Sequence, residues 1–135
     1  MKQEPARNYE EAVSVSIALG DLAVIGHVLF PYARFVRFVL PPSPERGRTL
    51  TMVEHLRRRI ADVSRGGKEG ELFPLTVAEL SIIDAALRNF VANLRQIFPP
   101  SQERDGTISA CEGLREYLAA SFSPREDSER KYTAF

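Results

Sequence analysis

The chain repeats itself. Residues 22–61 align on residues 80–119 without a gap, at an offset of 58, and 14 of the 40 positions are identical. Ordinary residue frequencies would give about two or three. The clearest block reads PPSPERGRTLTMVEHLRRRIA in the first copy and PPSQERDGTISACEGLREYLA in the second. Other pairs keep size and polarity, including Val24 with Ile82, Tyr32 with Phe90, Val39 with Ile97, and Ile60 with Leu118. A repeat of this kind constrains the fold more than any single motif, because one supersecondary unit has to serve twice.

Each copy reads as helix, tight turn, helix. In the second copy Leu80, Ile83, Leu87, Phe90, Leu94 and Ile97 recur every three or four residues and make one apolar stripe. Thr76 with Glu79 has the spacing of a capping box at its start. Pro99-Pro100 ends the helix, and Ser101 can cap the next, whose apolar face carries Ile108, Cys111, Leu114, Leu118 and Phe122. The first copy follows the same plan. Its first stripe is Leu22, Ile25, Leu29, Tyr32, Val36 and Val39; Pro41-Pro42 stops it, and Ser43 caps with Pro44 at the first helical position. Leu50, Val53, Leu56, Ile60 and Val63 form the second stripe.

Two features break the symmetry. The first helix is expected to start near Asn8, with Glu11 three residues on, and to run about 30 residues to Leu40 with a kink between His27 and Pro31. It also carries Val24, Val28, Phe35 and Phe38 outside its stripe, where the second copy has Ile82, Ala86, Asn93 and Gln96. That extra apolar face calls for a partner. No stretch alternates in the manner of a strand. The expected fold is therefore all-α: a four-helix bundle of two tandem helical hairpins related by a pseudo-two-fold. The first hairpin spans 8–65, a polar glycine-rich linker 66–74, the second hairpin 75–122, and a polar tail 123–135.

Lys+Arg and Asp+Glu are both 18, so the formal net charge is zero, which argues against general nucleic-acid binding. The charge is unevenly divided, however. Residues 16–64 hold seven arginines against four acids, and residues 74–122 hold four against six. The most apolar stretch, Leu22 to Ala33, has 12 residues, too few to span a bilayer. The one cysteine, Cys111, precludes an internal disulfide and points to a reducing cytoplasm.

No catalytic, cofactor or metal site is read from the sequence. His27, His55 and Cys111 match no zinc spacing, and neither histidine lies in the Glu-x-x-His pattern of di-iron bundles. Gly66-Gly67-Lys68 lacks the P-loop spacing, and there is no Gly-x-Ser-x-Gly elbow. Cys111 falls on the core stripe and reads as an inert thiol. Arg37 with Arg95, Glu54 with Glu112, and Arg57 with Arg115 recur in both copies and suit charge pairing along the hairpins. The expected function is a non-enzymatic interaction or regulatory module, associating with a second copy or another protein through Val24, Val28, Phe35 and Phe38. The alternative is attachment to an anionic membrane or nucleic acid through Arg46, Arg57, Arg58 and Arg59. A third reading places a small-ligand pocket between the hairpins near His27 and Tyr32.

Overall fold

The computed structural model describes residues 12–67 and 72–122. They form β1 (Val13–Ser16), α1 (Leu19–Val39), α2 (Pro44–Gly66), β2 (Leu72–Leu75), α3 (Val77–Ile97) and α4 (Gln102–Phe122). The protein is mostly helical. α1 packs against both α2 and α3, α3 packs against α4, and α2 also touches α3. β1 and β2 pair antiparallel, Val13 with Leu75 through Ser16 with Leu72.

The two strands correct the expectation of a purely helical chain. β1 occupies part of the first helix as expected from residue 8, and β2 occupies the expected linker. Their inward residues are Val15 and Phe73, continued by Ile17 and Leu75 just beyond or at the strand ends, all buried. At the helical 100° per residue, positions two apart fall on opposite sides of a helix, whereas on a strand they share one face. Val13, Val15 and Ile17 do alternate with Ser14 and Ser16, a five-residue strand pattern that the expectation of a helix from Asn8 overrides, whereas β2 offers only Phe73 and Leu75. Pro74 is tolerated because a two-stranded ribbon is all edge. The expected start at Asn8 lies outside the described residues, and the helix begins at Leu19.

α1 continues through Pro31 to Val39 without ending there. The proline leaves the His27 carbonyl without its usual helical donor. At 21 residues, α1 is the one helix among the described residues long and apolar enough to cross a membrane, with a mean hydropathy of 1.4 over its most apolar window. The 12-residue apolar run thus understates the apolar length of this helix. Its inner face, Leu22, Ile25, Val28, Leu29 and Val36, is buried. Leu22, Ile25, Val28 and Leu29 form one cluster with Val53, Leu56 and Ile60 of α2, Ile83, Ala86, Leu87 and Val91 of α3, and Ile108, Cys111, Leu114 and Leu118 of α4. Each such aliphatic contributes about 1.5–3 kcal/mol by leaving water.

The two hairpin corners are built alike. Ser43 Oγ accepts from the Arg46 backbone N–H at 3.0 Å, and Ser101 Oγ accepts from that of Arg104 at 3.0 Å. Each arginine then turns its guanidinium back over the preceding helix end. Arg46 donates to the carbonyls of Arg37 (2.9 Å) and Leu40 (3.2 Å), and Arg104 to that of Phe98 (3.1 Å). The proline pair stops one helix, the serine starts the next, and the arginine satisfies the carbonyls stranded between them. The capping box of α3 is also present, Thr76 Oγ1 accepting from Glu79 N at 3.1 Å and Glu79 Oε1 accepting from Thr76 N at 2.9 Å. Such a cap contributes about 1 kcal/mol.

Equivalent positions 58 residues apart recur throughout. α1 and α3 begin at Leu19 and Val77, and α2 and α4 begin at Pro44 and Gln102. Val15 pairs across the ribbon with Phe73, the residue 58 places on. Arg59 of α2 donates to the Pro74 carbonyl of β2, while Tyr117 of α4 donates to the Ser16 carbonyl of β1. These donors and acceptors are again 58 apart. Each half thus uses its second helix to latch the strand of the other half.

Candidate anion-binding groove

The groove between α1 and α2 collects the cations of the first half. α1 supplies Phe30, Ala33, Arg34 and Arg37; α2 supplies Leu50, Thr51, Val53, Glu54, His55, Arg57 and Arg58. The space is about 550 Å³. Arg34 and Arg37 are three residues apart on α1, and His55, Arg57 and Arg58 follow Glu54 on α2, so packing the two helices brings both sets to one cleft. Four arginines face a single carboxylate there.

That carboxylate is shared. Glu54 Oε1 lies 3.3 Å from Arg57 Nη1, and its Oε2 lies 3.5 Å from Arg58 Nε. All three side chains are substantially exposed, so these ion pairs hold the groove weakly and are open to exchange for a better anion. Arg57 also lies over the Phe30 ring, 5.4 Å from its centroid. Arg34 and Arg37 have no ion-pair partner among the described residues. The wall is therefore cationic, with one exposed aromatic at its edge.

The second half has the same framework but neutralises it. Asp84 bridges Arg115 at 2.7 Å and Arg88 at 3.1 Å, and Arg95 lies 3.6 Å from Glu112. Asp84 and the two arginines it bridges line a smaller cleft of about 300 Å³ between α3 and α4. The first-half counterpart of Asp84 is Gly26, that of Glu116 is Arg58, and that of Ala92 is Arg34. The counterpart of Arg88 is Phe30, so these four matched positions change charge: three make the first half more basic, and this one makes it less so.

The structure divides the four arginines read from the sequence as anion ligands. Arg57 and Arg58 line the groove. Arg46 is engaged by the helix-end carbonyls of its own corner. Arg59 is 2.8 Å from Glu79 Oε2, stacks over Phe73 at 4.6 Å and donates to Pro74. These two serve the fold: Arg46 uses Nη1 on two helix-end carbonyls, and Arg59 uses Nη1 and Nη2 on Glu79 and Pro74 with its guanidinium over the Phe73 ring. Phe30 and Arg34 were not singled out by sequence, His55 only as a metal ligand whose spacing fits no site, and Arg37 only as a charge pair. The alignment of the two copies marks Arg34 alone among them, as an arginine gained where the second copy has Ala92.

Comparison with protein-family models, curated proteins and solved structures yields no match.

The remaining candidates fall elsewhere. Val28 is 0% exposed and Val24 is 37% exposed; Phe35 stacks against Tyr32 at 6.3 Å, and Phe38 is 72% exposed. The four do not make one exposed face. Val28 belongs to the core cluster, as does its counterpart Ala86, which is also fully buried. Val24 and Val28 border a mostly apolar groove of about 610 Å³ between α1 and α4, with His27 set edge-on to Phe90 at 5.9 Å. This is the region expected to hold a small-ligand pocket, although Tyr32 does not line it. Glu103 is its one charged lining residue. Cys111, 1% exposed, lies at its base, and burial raises the thiol's pKa above its usual value, with Glu112 adding to the effect. Burial likewise raises the Tyr32 phenol, opposed by nearby Arg88. Among the described residues no three His, Cys, Asp or Glu side chains cluster as metal ligands do.

Proposed function

We propose that the protein is a non-enzymatic binding module for phosphate-bearing anions, and that the α1–α2 groove is its binding site. The observation that carries this reading is the groove's composition: Arg34, Arg37, Arg57 and Arg58 around Glu54 alone, with His55 beside them. Guanidinium groups bind phosphate oxygens in pairs and keep their charge at any physiological pH. We read the chain as a duplicated strand–helix–helix unit. In one copy, acids at the positions of Asp84 and Glu116 balance the arginines; in the other, Gly26 and Arg58 stand in their places.

The two-stranded ribbon is a poor candidate for reading DNA in the manner of β-ribbon proteins. Its exposed side chains are Ser14, Ser16, Leu72 and Pro74, with no cation among them.

Titration with inorganic pyrophosphate at low ionic strength tests the reading. Binding is expected to raise the melting temperature and to weaken steeply with added salt, because exposed charges are screened over about 10 Å at 0.1 M. No binding at low salt would refute the assignment.

A second reading, association between copies, draws on the exposure of Phe38, Val39, Ile97 and Phe98 at the ends of α1 and α3. Light scattering across a dilution series separates the two. A mass of two chains that persists on dilution supports association, and a single-chain mass throughout removes it.

A further inference from the structure

We infer that the anion recognised by the groove belongs to a membrane surface, and that the outer side of α1 docks on an anionic lipid bilayer. The inference rests on the reading of the α1–α2 groove as an anion site, and adds the source of the anion.

The argument starts from what else α1 exposes. Its most apolar window has a mean hydropathy of 1.4, yet only 28% of that window is buried. A helix this apolar in the core of a water-soluble domain would bury most of itself, so much of the apolar character of α1 faces outward. Phe30 is 51% exposed and Phe38 is 72% exposed. At 100° per residue, Phe30, Arg34, Arg37 and Phe38 fall within an arc of about 100°, spread over about 12 Å of helix. One side of α1 therefore alternates aromatic, cation, cation, aromatic, and α2 adds Arg57 and Arg58 across the groove.

This is the pattern of an interfacial helix. Phenylalanine enters the boundary between headgroups and acyl chains, while arginine pairs with anionic headgroups. Each basic residue near an anionic leaflet adds to the attraction, so Arg34, Arg37, Arg57 and Arg58 act together. A free phosphate compound would use the arginines but leave Phe38 unexplained. A long nucleic acid would extend beyond the groove onto the second half, where Arg88, Arg95, Arg104 and Arg115 are each already paired with a carboxylate. A membrane touches one side of the molecule and meets only the basic one.

The chain has no tryptophan, so Phe38→Trp introduces a single reporter. With vesicles of 30% phosphatidylglycerol in phosphatidylcholine, its emission is expected to shift to the blue, and the protein should float with the vesicles. With pure phosphatidylcholine neither should occur, and pyrophosphate should leave the emission unchanged. Phe38→Ser, at an exposed position, is expected to lower vesicle binding about tenfold or more while leaving pyrophosphate affinity intact. Pyrophosphate binding without vesicle binding would overturn the membrane inference and keep the anion site. Failure to bind either would overturn both. Equal binding to neutral vesicles, or a mixed-sequence DNA duplex bound more tightly than the vesicles, would also overturn the inference.

Discussion

Arg34→Ala combined with Arg58→Glu is expected to reduce pyrophosphate affinity about a hundredfold while leaving the melting temperature within a few degrees. Both replacements are the second half's own residues, since Ala92 and Glu116 occupy the matched positions. Arg34 pairs with nothing among the described residues, and the Arg58 side chain is 77% exposed, so the fold loses little. The ligand loses two charge-assisted hydrogen-bonding partners, each contributing about 1.5–3 kcal/mol, and meets a new carboxylate in their place. About 3 kcal/mol corresponds to two orders of magnitude in affinity. The reciprocal pair, Ala92→Arg with Glu116→Arg, should strengthen binding by the second half. Isothermal titration of both variants at one fixed salt concentration reads the result. Unchanged affinity in Arg34→Ala/Arg58→Glu would remove the groove from consideration.

The largest effect on stability is expected from Leu29→Ala and Leu87→Ala. These residues stand 58 apart, are fully buried and belong to the same core. Truncating either should lower the unfolding free energy by about 2–5 kcal/mol, the lost transfer energy plus the cavity left behind. That is a large fraction of the ~5–15 kcal/mol by which domains are stable. Urea denaturation with an unchanged slope would give the number directly. If one variant lost far less than the other, the core would be collapsing around that site, and the two halves would differ in packing despite their matched residues.

How far the sequence foretold this structure follows from particular residues. The helices after the proline pairs were legible because Pro41-Pro42 and Pro99-Pro100 stop one helix and Ser43 and Ser101 start the next, a local chemistry that needs no tertiary information. The strands were legible only in part: Val13-Ser14-Val15-Ser16-Ile17 alternates as a strand does, whereas Leu72-Phe73-Pro74-Leu75 does not, and nothing local marks the pairing of Val15 with Phe73. Arg46 and Arg59 illustrate the limit for function. In sequence they are cations like Arg57 and Arg58, and only the fold shows that the first caps a corner and the second joins Glu79 and Phe73. Val28 illustrates the limit for surfaces: an apolar residue off the main stripe can still be core when a second layer of helices covers it.

The crossed latches have a consequence for how such a molecule can change. Arg59 of α2 holds β2 and Tyr117 of α4 holds β1, so each half of the chain is tied to the other by a reciprocal contact. In a pair of separate identical chains every substitution appears twice, and a basic groove on one side forces a basic groove on the other. Here both halves lie on one polypeptide, so a substitution enters a single half. One groove can gain charge while its twin remains balanced, and the molecule acquires a front and a back. A body with one adhesive side can lie on a surface; a body with two would bridge surfaces and draw them together.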